Sequence, residues 1–430
     1  MKICVYGLWH LGTVIASCLA EAGFDTVGLD PDPVVIEGLC RGNPPLFEPG
    51  LAELVGAGLA SEKLSFTAER AAALAGADIV WVAFDTPVDE EDRADAEWVN
   101  SRVAELFPLL GDGTVVLISS QLPVGNTEAL RTRYAAAVDG RVAFAYSPEN
   151  LRLGAALERF RKPERIVIGV RDDTARGPLT AVLARFSDQL LWMSVESAEM
   201  VKHAINAFLA TCIVFTNEVS ALCETVGADA YDVERGLRSE PRIGLKAYVR
   251  PGPAFGGGTL ARDLQFLGAL AARNDLTLPL LRAALPSNDE HRRWAVRRLE
   301  RALGDLTGKT VALWGLAYKA DTDSLRRSLA IDLCRWLVRA GARVRAYDPK
   351  VAVLPKDLAS TVVLAPTMEA ALDGADGLVV ATEWNDFRAI DSDSLVARMR
   401  CRLVIDPHRF LERQFGSDHR ISYVIPGRAP

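Results

Sequence analysis

The turn GLWHLG sets Gly7 and Gly12 at the outer positions of a G-x-G-x-x-G loop, and Asp30 closes the strand that follows. Gly7 permits the tight turn and Gly12 lets helix approach strand. A carboxylate at Asp30 suits two ribose hydroxyls and repels a 2′-phosphate, so the expected cofactor is NAD rather than NADP. Trp9 stands where a middle glycine lets the backbone approach the pyrophosphate, although the helix N-terminus still offers N–H groups and its positive dipole end. Taken alone, the motif also fits a doubly wound domain that binds no nucleotide. Further along, Lys202 and Asn206 lie four residues apart in a helical pattern and so share a face. A cation and an amide donor placed that way can converge on one oxygen. By itself, a lysine on a long helix is ordinarily a solvated charge. Glu149 and Asp263 read alone as caps or turn carboxylates. Gly256, Gly257 and Gly258 read as loop punctuation, yet a triple glycine before Thr259 and Asp263 also allows close backbone approach to a ligand.

The elements that must hold these residues follow from apolar periodicity. KICVYG, DTVGLD, ADIVWVAF, GTVVLISS, RVAFAYS and ERIVIGV are short apolar runs ending in turn residues, each followed by helical spacing. That alternation predicts a parallel sheet wrapped by helices. From Ser197 the segment SAEMVKHAINAFLATCIVFTNEVSALCETVG keeps helical spacing without a strand signal, as one long helix or two fused ones. After Gly308, the runs KTVALWG, ARVRAYD, DGLVVAT and RLVIDP predict a second, smaller α/β domain. The expectation is two Rossmann-like doubly wound domains joined by a long central helical connector, with boundaries at 1–196, 197–301 and 302–430.

A chain of 430 residues, 49% hydrophobic and 24% charged, exceeds what one core supports. A net charge of −7 without a basic run gives no footprint for nucleic acid or an anionic membrane, which points to small-molecule partners. The seven cysteines are scattered, with no CxxC pair and no clustered histidines, so neither a disulfide framework nor a metal site is expected and a reduced cytoplasm fits. The apolar stretch Ile3 to Ala22 is broken by His10 and reads as strand, turn and helix rather than a signal peptide. No uninterrupted run of 18 apolar residues predicts a transmembrane helix.

Read together, LFEPGL at 46–51, Thr86-Pro87, LPVGNT at 122–127, SPENLRLG at 147–154, KPERIVIG at 162–169, SAEMVKHAINAF at 197–208, FGGGTLARD at 255–263, GLAYKADTDSLR at 315–326 and ATEW at 381–384 resemble the UDP-glucose/GDP-mannose dehydrogenase family. The resemblance runs from Met1 to about Arg409. It implies NAD-dependent oxidation of the C6 alcohol of a nucleotide hexose, UDP-glucose being the commonest substrate, through an enzyme thiohemiacetal and thioester. It assigns Lys202 and Asn206 to the reacting oxygen, Asp263 to water beside the nucleophile, and Glu149 to the sugar. Gly7, Leu11, Gly12, Asp30, Thr86, Gln121, Arg262 and Arg326 fall to the cofactor. Leu151, Arg152, Arg242, Tyr248, Gly252, Gly256 and Lys319 join Glu149, Lys202 and Asn206 on the substrate. Arg242 matches a residue that reaches the partner's active site in relatives that dimerise through the long helix, so a homodimer is implied.

Four departures surround the reaction centre: Thr259 stands for the nucleophilic cysteine, Leu153 for an acid, Gln121 for a threonine and Trp9 for a glycine. A thiol near pKa 8.5 supplies some thiolate at neutral pH, whereas an unactivated hydroxyl supplies no comparable nucleophile. Two readings stay open. One is an NAD-dependent nucleotide-sugar dehydrogenase working by a truncated two-electron or a cysteine-independent route. The other is a non-catalytic nucleotide-sugar-binding homologue in a polysaccharide pathway.

Overall fold

Strand β1 (Lys2–Tyr6) buries both of its faces, Ile3 and Val5 in one apolar cluster and Cys4 and Tyr6 in the other, as a central strand with helices on each side must. The computed structural model describes all residues except 90–93, 150, 152, 257 and 430. It divides into two compact units, Met1–Ile205 and Asn206 to the C-terminus. In the first unit, β1 lies among β2 (Asp25–Leu29), β3 (Leu64–Thr67), β4 (Ile79–Val82), β5 (Val115–Ile118), β6 (Ala143–Tyr146), β7 (Ile166–Val170) and β8 (Leu190–Met193). Their order is β3-β2-β1-β4-β5-β6-β7-β8.

Pairing is parallel except between β6 and β7, which run antiparallel, a departure from the all-parallel expectation. Among its described residues the chain from Ser147 to Arg165 holds the short helix Ala156–Arg161, and antiparallel β7 starts at the end of the sheet where β6 finishes.

The second unit repeats the plan on a smaller scale. Strands β9 (Thr310–Trp314), β10 (Arg343–Tyr347), β11 (Val362–Leu364), β12 (Gly377–Val380), β13 (Leu403–Ile405) and β14 (Ser422–Val424) are all parallel, in the order β11-β10-β9-β12-β13-β14. The same unit carries the helices Thr259–Arg273 and Pro279–Arg292, which pack with Ala207, Ala210 and Val214 of the long helix in a cluster of their own.

The long helical pattern is one uninterrupted helix, Val195–Val226. By length and composition alone it could cross a membrane, although charged and polar residues interrupt its apolar stretches. Glu199, His203, Asn206, Asn217 and Glu224 are nevertheless buried along it.

Candidate active site

The dinucleotide loop is fixed by close backbone packing. Gly7 has φ +95°, and a Cβ there would meet the ring and amide of Phe84; a Cβ on Gly12 would collide with the Gly7 carbonyl. Gly7 N–H donates to the Leu29 carbonyl (2.9 Å) and Leu8 N–H to Asp30 Oδ2 (2.7 Å), while Asp32 N–H takes Oδ1 (2.9 Å). Burial pushes the Asp30 carboxyl up, against those amide donors. With two donors spent, the carboxylate keeps acceptor capacity for ribose hydroxyls. Trp9 has φ −72°, a conformation that does not demand glycine, and its side chain is 47% exposed at the start of helix His10–Glu21. No side chain caps that helix, so its first N–H groups suit a pyrophosphate. Leu11 packs half-buried on the sheet below. These features fit a bound NAD.

Next to this loop, the Thr86 hydroxyl donates to the Gln121 carbonyl (2.7 Å), joining two expected cofactor residues. The LPVGNT turn is clamped from the long helix. Glu199 accepts from Gly125 N–H (2.6 Å), Thr127 N–H (3.0 Å) and the Thr127 hydroxyl (2.7 Å), and His203 Nε2 pairs with the Leu122 carbonyl (3.0 Å). Burial pushes the Glu199 carboxyl up. One turn further round, Lys202 Nζ donates to the Glu149 carbonyl. Leu151 packs half-buried on the sheet, and Arg152 lies outside the described residues.

In the second unit, Asn206 Nδ2 donates to Asp263 Oδ2, and both side chains are buried. Asp263 sits one turn after Thr259, the first residue of helix Thr259–Arg273. Thr259 is exposed, and no described residue of its unit hydrogen-bonds the hydroxyl. An unactivated secondary alcohol is a poor nucleophile. Nor does a perturbed thiol compensate: burial pushes Cys4, Cys18 and Cys334 up to about 12, and raises Cys212.

Arg262 is half-buried on the Thr259 helix, and Gly256 is exposed. Arg326 is exposed, whereas its neighbour Arg327, at φ +58°, lays its guanidinium against Gly258, where a Cβ would collide with it. Gly252 is held by Asn217 (3.3 Å) and by His291 (2.8 Å). Lys319 lies 5.6 Å from the Tyr318 ring, Tyr248 is 53% exposed, and the exposed Arg242 pairs with Glu240 (2.8 Å).

Sequence reasoning did not single out Glu48, Glu199, His203 or Arg327. Glu199 and His203 share the four-residue spacing of Lys202 and Asn206, and that pattern could have drawn attention to them.

Two units with the strand order of nucleotide-binding Rossmann domains, the first with a glycine turn and an acid at the second strand, define a dinucleotide-dependent protein with a second nucleotide-type domain. Family models agree in detail: the UDP-glucose/GDP-mannose dehydrogenase family NAD binding domain matches residues 1–187, its central domain 196–290 and its UDP binding domain 312–413. The chain belongs to that family, and with it go NAD as cofactor and oxidation at a CH–OH group of a nucleotide sugar. It is 37% identical to a UDP-glucose 6-dehydrogenase of Rhizobium meliloti (strain 1021) over all of both chains. It is 36% identical to one of Pseudomonas aeruginosa, over 94% of this chain and 93% of that one. A solved UDP-glucose dehydrogenase of Pyrobaculum islandicum superposes with TM-score 0.86 at 33% identity, covering 99% of this chain and 97% of the other.

Proposed function

We propose that the chain oxidises the C6 alcohol of a UDP-hexose, UDP-glucose first among them, without forming a covalent adduct on Thr259. The observation that carries this reading is the buried Asn206–Asp263 pair, an amide and a carboxylate withdrawn from water one helical turn from Lys202. Lys202, oriented by the Glu149 carbonyl, and the second amide N–H of Asn206 stabilise the alkoxide that forms as the alcohol passes its proton to solvent water. NAD, when bound, accepts the hydride. One oxidation yields an aldehyde. A second, with a second NAD as hydride acceptor, requires water to add to the aldehyde first, because no described residue of its unit hydrogen-bonds the Thr259 hydroxyl, and Asp263 takes that water's proton.

Within this proposal, residues 1–196 bind NAD, 197–301 connect and dimerise, and 302–430 hold the nucleotide sugar, with Gly252, Gly256, Lys319 and Tyr248 on the substrate and Arg262 and Arg326 on the cofactor. The homodimer is supported by the apolar seam Phe208, Cys212, Phe215, Val219, Leu222 and Val226, exposed apart from the half-buried Cys212 and Val219, which alternates four and three residues along the long helix as packed helix pairs do. Arg242 then reaches the partner's site. A cytoplasmic, membrane-free location and a role in polysaccharide precursor supply complete the reading.

The test is incubation with NAD and UDP-, GDP- and dTDP-hexoses, counting NADH per sugar and weighing product and protein. The expected result is NADH with an aldehyde or a uronic acid and no mass added to the protein. A sugar adduct on Thr259 would overturn the non-covalent route. Nucleotide-sugar binding with no NADH from any sugar would replace the enzyme with a binding protein.

A further inference from the structure

The LFEPGL turn contributes a buried carboxylate that the proposed chemistry does not use. Glu48 is 3% exposed, yet its two oxygens join three segments of the first unit. Oε2 faces His10 Nε2 (2.9 Å) and accepts from Gly154 N–H (2.7 Å), and Oε1 accepts from Ala156 N–H (2.8 Å). His10 is the first residue of the helix whose N-terminus offers N–H groups to a pyrophosphate. Gly154 and Ala156 end the segment that begins at Ser147 and carries Glu149 and Leu151, and Ala156 opens the helix Ala156–Arg161. Burial alone would push the Glu48 carboxyl up, but hydrogen bonds from Gly154, Ala156 and His10 hold it below the usual value, so it stays ionised and keeps all its acceptor sites. A carboxylate with donors from both sides is a rigid link, because a shift of either partner breaks a charge-assisted bond.

We propose that Glu48 is a positioning residue that couples cofactor occupancy at the dinucleotide loop to the order of the segment that holds the nucleotide sugar. The inference rests on the proposed NAD and nucleotide-sugar sites and adds the connection between them. NAD seated on the His10 helix fixes the imidazole, the imidazole fixes Glu48, and Glu48 fixes Gly154 and Ala156. Coupling of this kind is reciprocal: whatever factor NAD adds to sugar-nucleotide affinity, the sugar nucleotide adds to NAD affinity.

The experiment uses the full-length protein, NAD and UDP-glucose. Hydrogen exchange of Gly154–Arg161 is followed with and without NAD, and UDP-glucose affinity is measured by calorimetry in both states. In the unsubstituted protein, NAD should slow exchange in this segment and tighten UDP-glucose binding by about tenfold, a typical coupling factor. His10→Ala leaves the grip of Glu48 on Gly154 and Ala156 intact and should therefore fold. It should still bind NAD, while both the protection and the tightening disappear. Glu48→Gln, which turns one of the two oxygens into an amide N–H facing a backbone donor, should weaken UDP-glucose binding whether or not NAD is present, raising KM with little change in kcat. Full coupling retained in His10→Ala, with NAD bound, would overturn the inference and leave the functional reading standing. Failure of the unsubstituted protein to bind NAD would overturn both.

Discussion

The same device is built at the head of each sheet. Gly7 at φ +95° and Gly315 at φ +91° turn the chain out of the first strand of their unit, and each donates to the end of the second strand, Gly7 to Leu29 (2.9 Å) and Gly315 to Tyr347 (2.8 Å). The next residue then donates to an aspartate that closes that strand, Leu8 to Asp30 and Leu316 to Asp348, both at 2.7 Å. The copies differ in what else reaches the carboxylate. Asp30 takes one further donor, from Asp32. Asp348 also takes Ala317, Lys350 and Val351 N–H and the Trp384 indole. Its acceptor sites, about four on a carboxylate, are used up inside the protein. In the first unit the helix starts at His10, directly after the turn, whereas in the second it waits until Leu329, and Asp348 helps tie down the intervening loop. An acid with spare acceptors has room for a ligand's donors, while a saturated one builds structure. NAD therefore belongs to the first copy.

The largest expected effect breaks the copies apart by stability. Asp348→Ala leaves several buried donors without an acceptor and should cost about 4 kcal/mol, read by denaturant unfolding and by hydrogen exchange in β9 and β10. Asp30→Ala, with fewer donors stranded, should cost markedly less. Equal losses would show that the two aspartates are equivalent and remove the basis for assigning NAD to the first.

A smaller effect sharpens the comparison by affinity. Asp30→Asn keeps one acceptor for Leu8 but loses the paired oxygens that suit ribose hydroxyls, so NAD affinity should fall about tenfold, or about 1.4 kcal/mol. The preference for NAD over NADP should narrow with it. Asp348→Asn should leave NAD affinity unchanged. Both constants come from titration followed by protein fluorescence, which the exposed Trp9 favours.

Much of this was legible in the chain. The runs KICVYG, ADIVWVAF and DGLVVAT announced central strands because both faces are buried and the run is unbroken. The four strands that left no readable run, β3, β8, β11 and β14, are the edges of their sheets, where alternate residues meet solvent. Gly7, Gly12 and Asp30 stood out because three constraints fall within one short window. The Gly315 and Asp348 copy did not, since the long loop before Leu329 stretches the fingerprint past recognition. Glu48 sits in LFEPGL with nothing local to mark a role, because its partners, His10, Gly154 and Ala156, are far off in sequence and reach it only through folding.

The smallest effect tests the units by pH. Among described carboxyls, those pushed up by burial, Asp30 and Glu199, both lie in the first unit, whereas in the second the resolved shifts, such as those of Asp229 and Asp418, are downward. A carboxyl raised in the folded state binds its proton more tightly there than in the unfolded chain. Its contribution is present below the unfolded value and is lost as pH rises through the folded one. A depressed carboxyl behaves oppositely, contributing above the unfolded value and losing that contribution as pH falls through the folded one. Raising pH from the carboxylate range towards neutrality should therefore cost the first unit a contribution from Asp30 and Glu199, whereas lowering it costs both units, the first through depressed carboxyls such as Glu48 and Glu128. Glu199→Gln should flatten the first unit's loss without altering the second's. Hydrogen exchange resolved by unit across that range reads both slopes, and a first-unit slope unchanged by Glu199→Gln would remove Glu199 from the account.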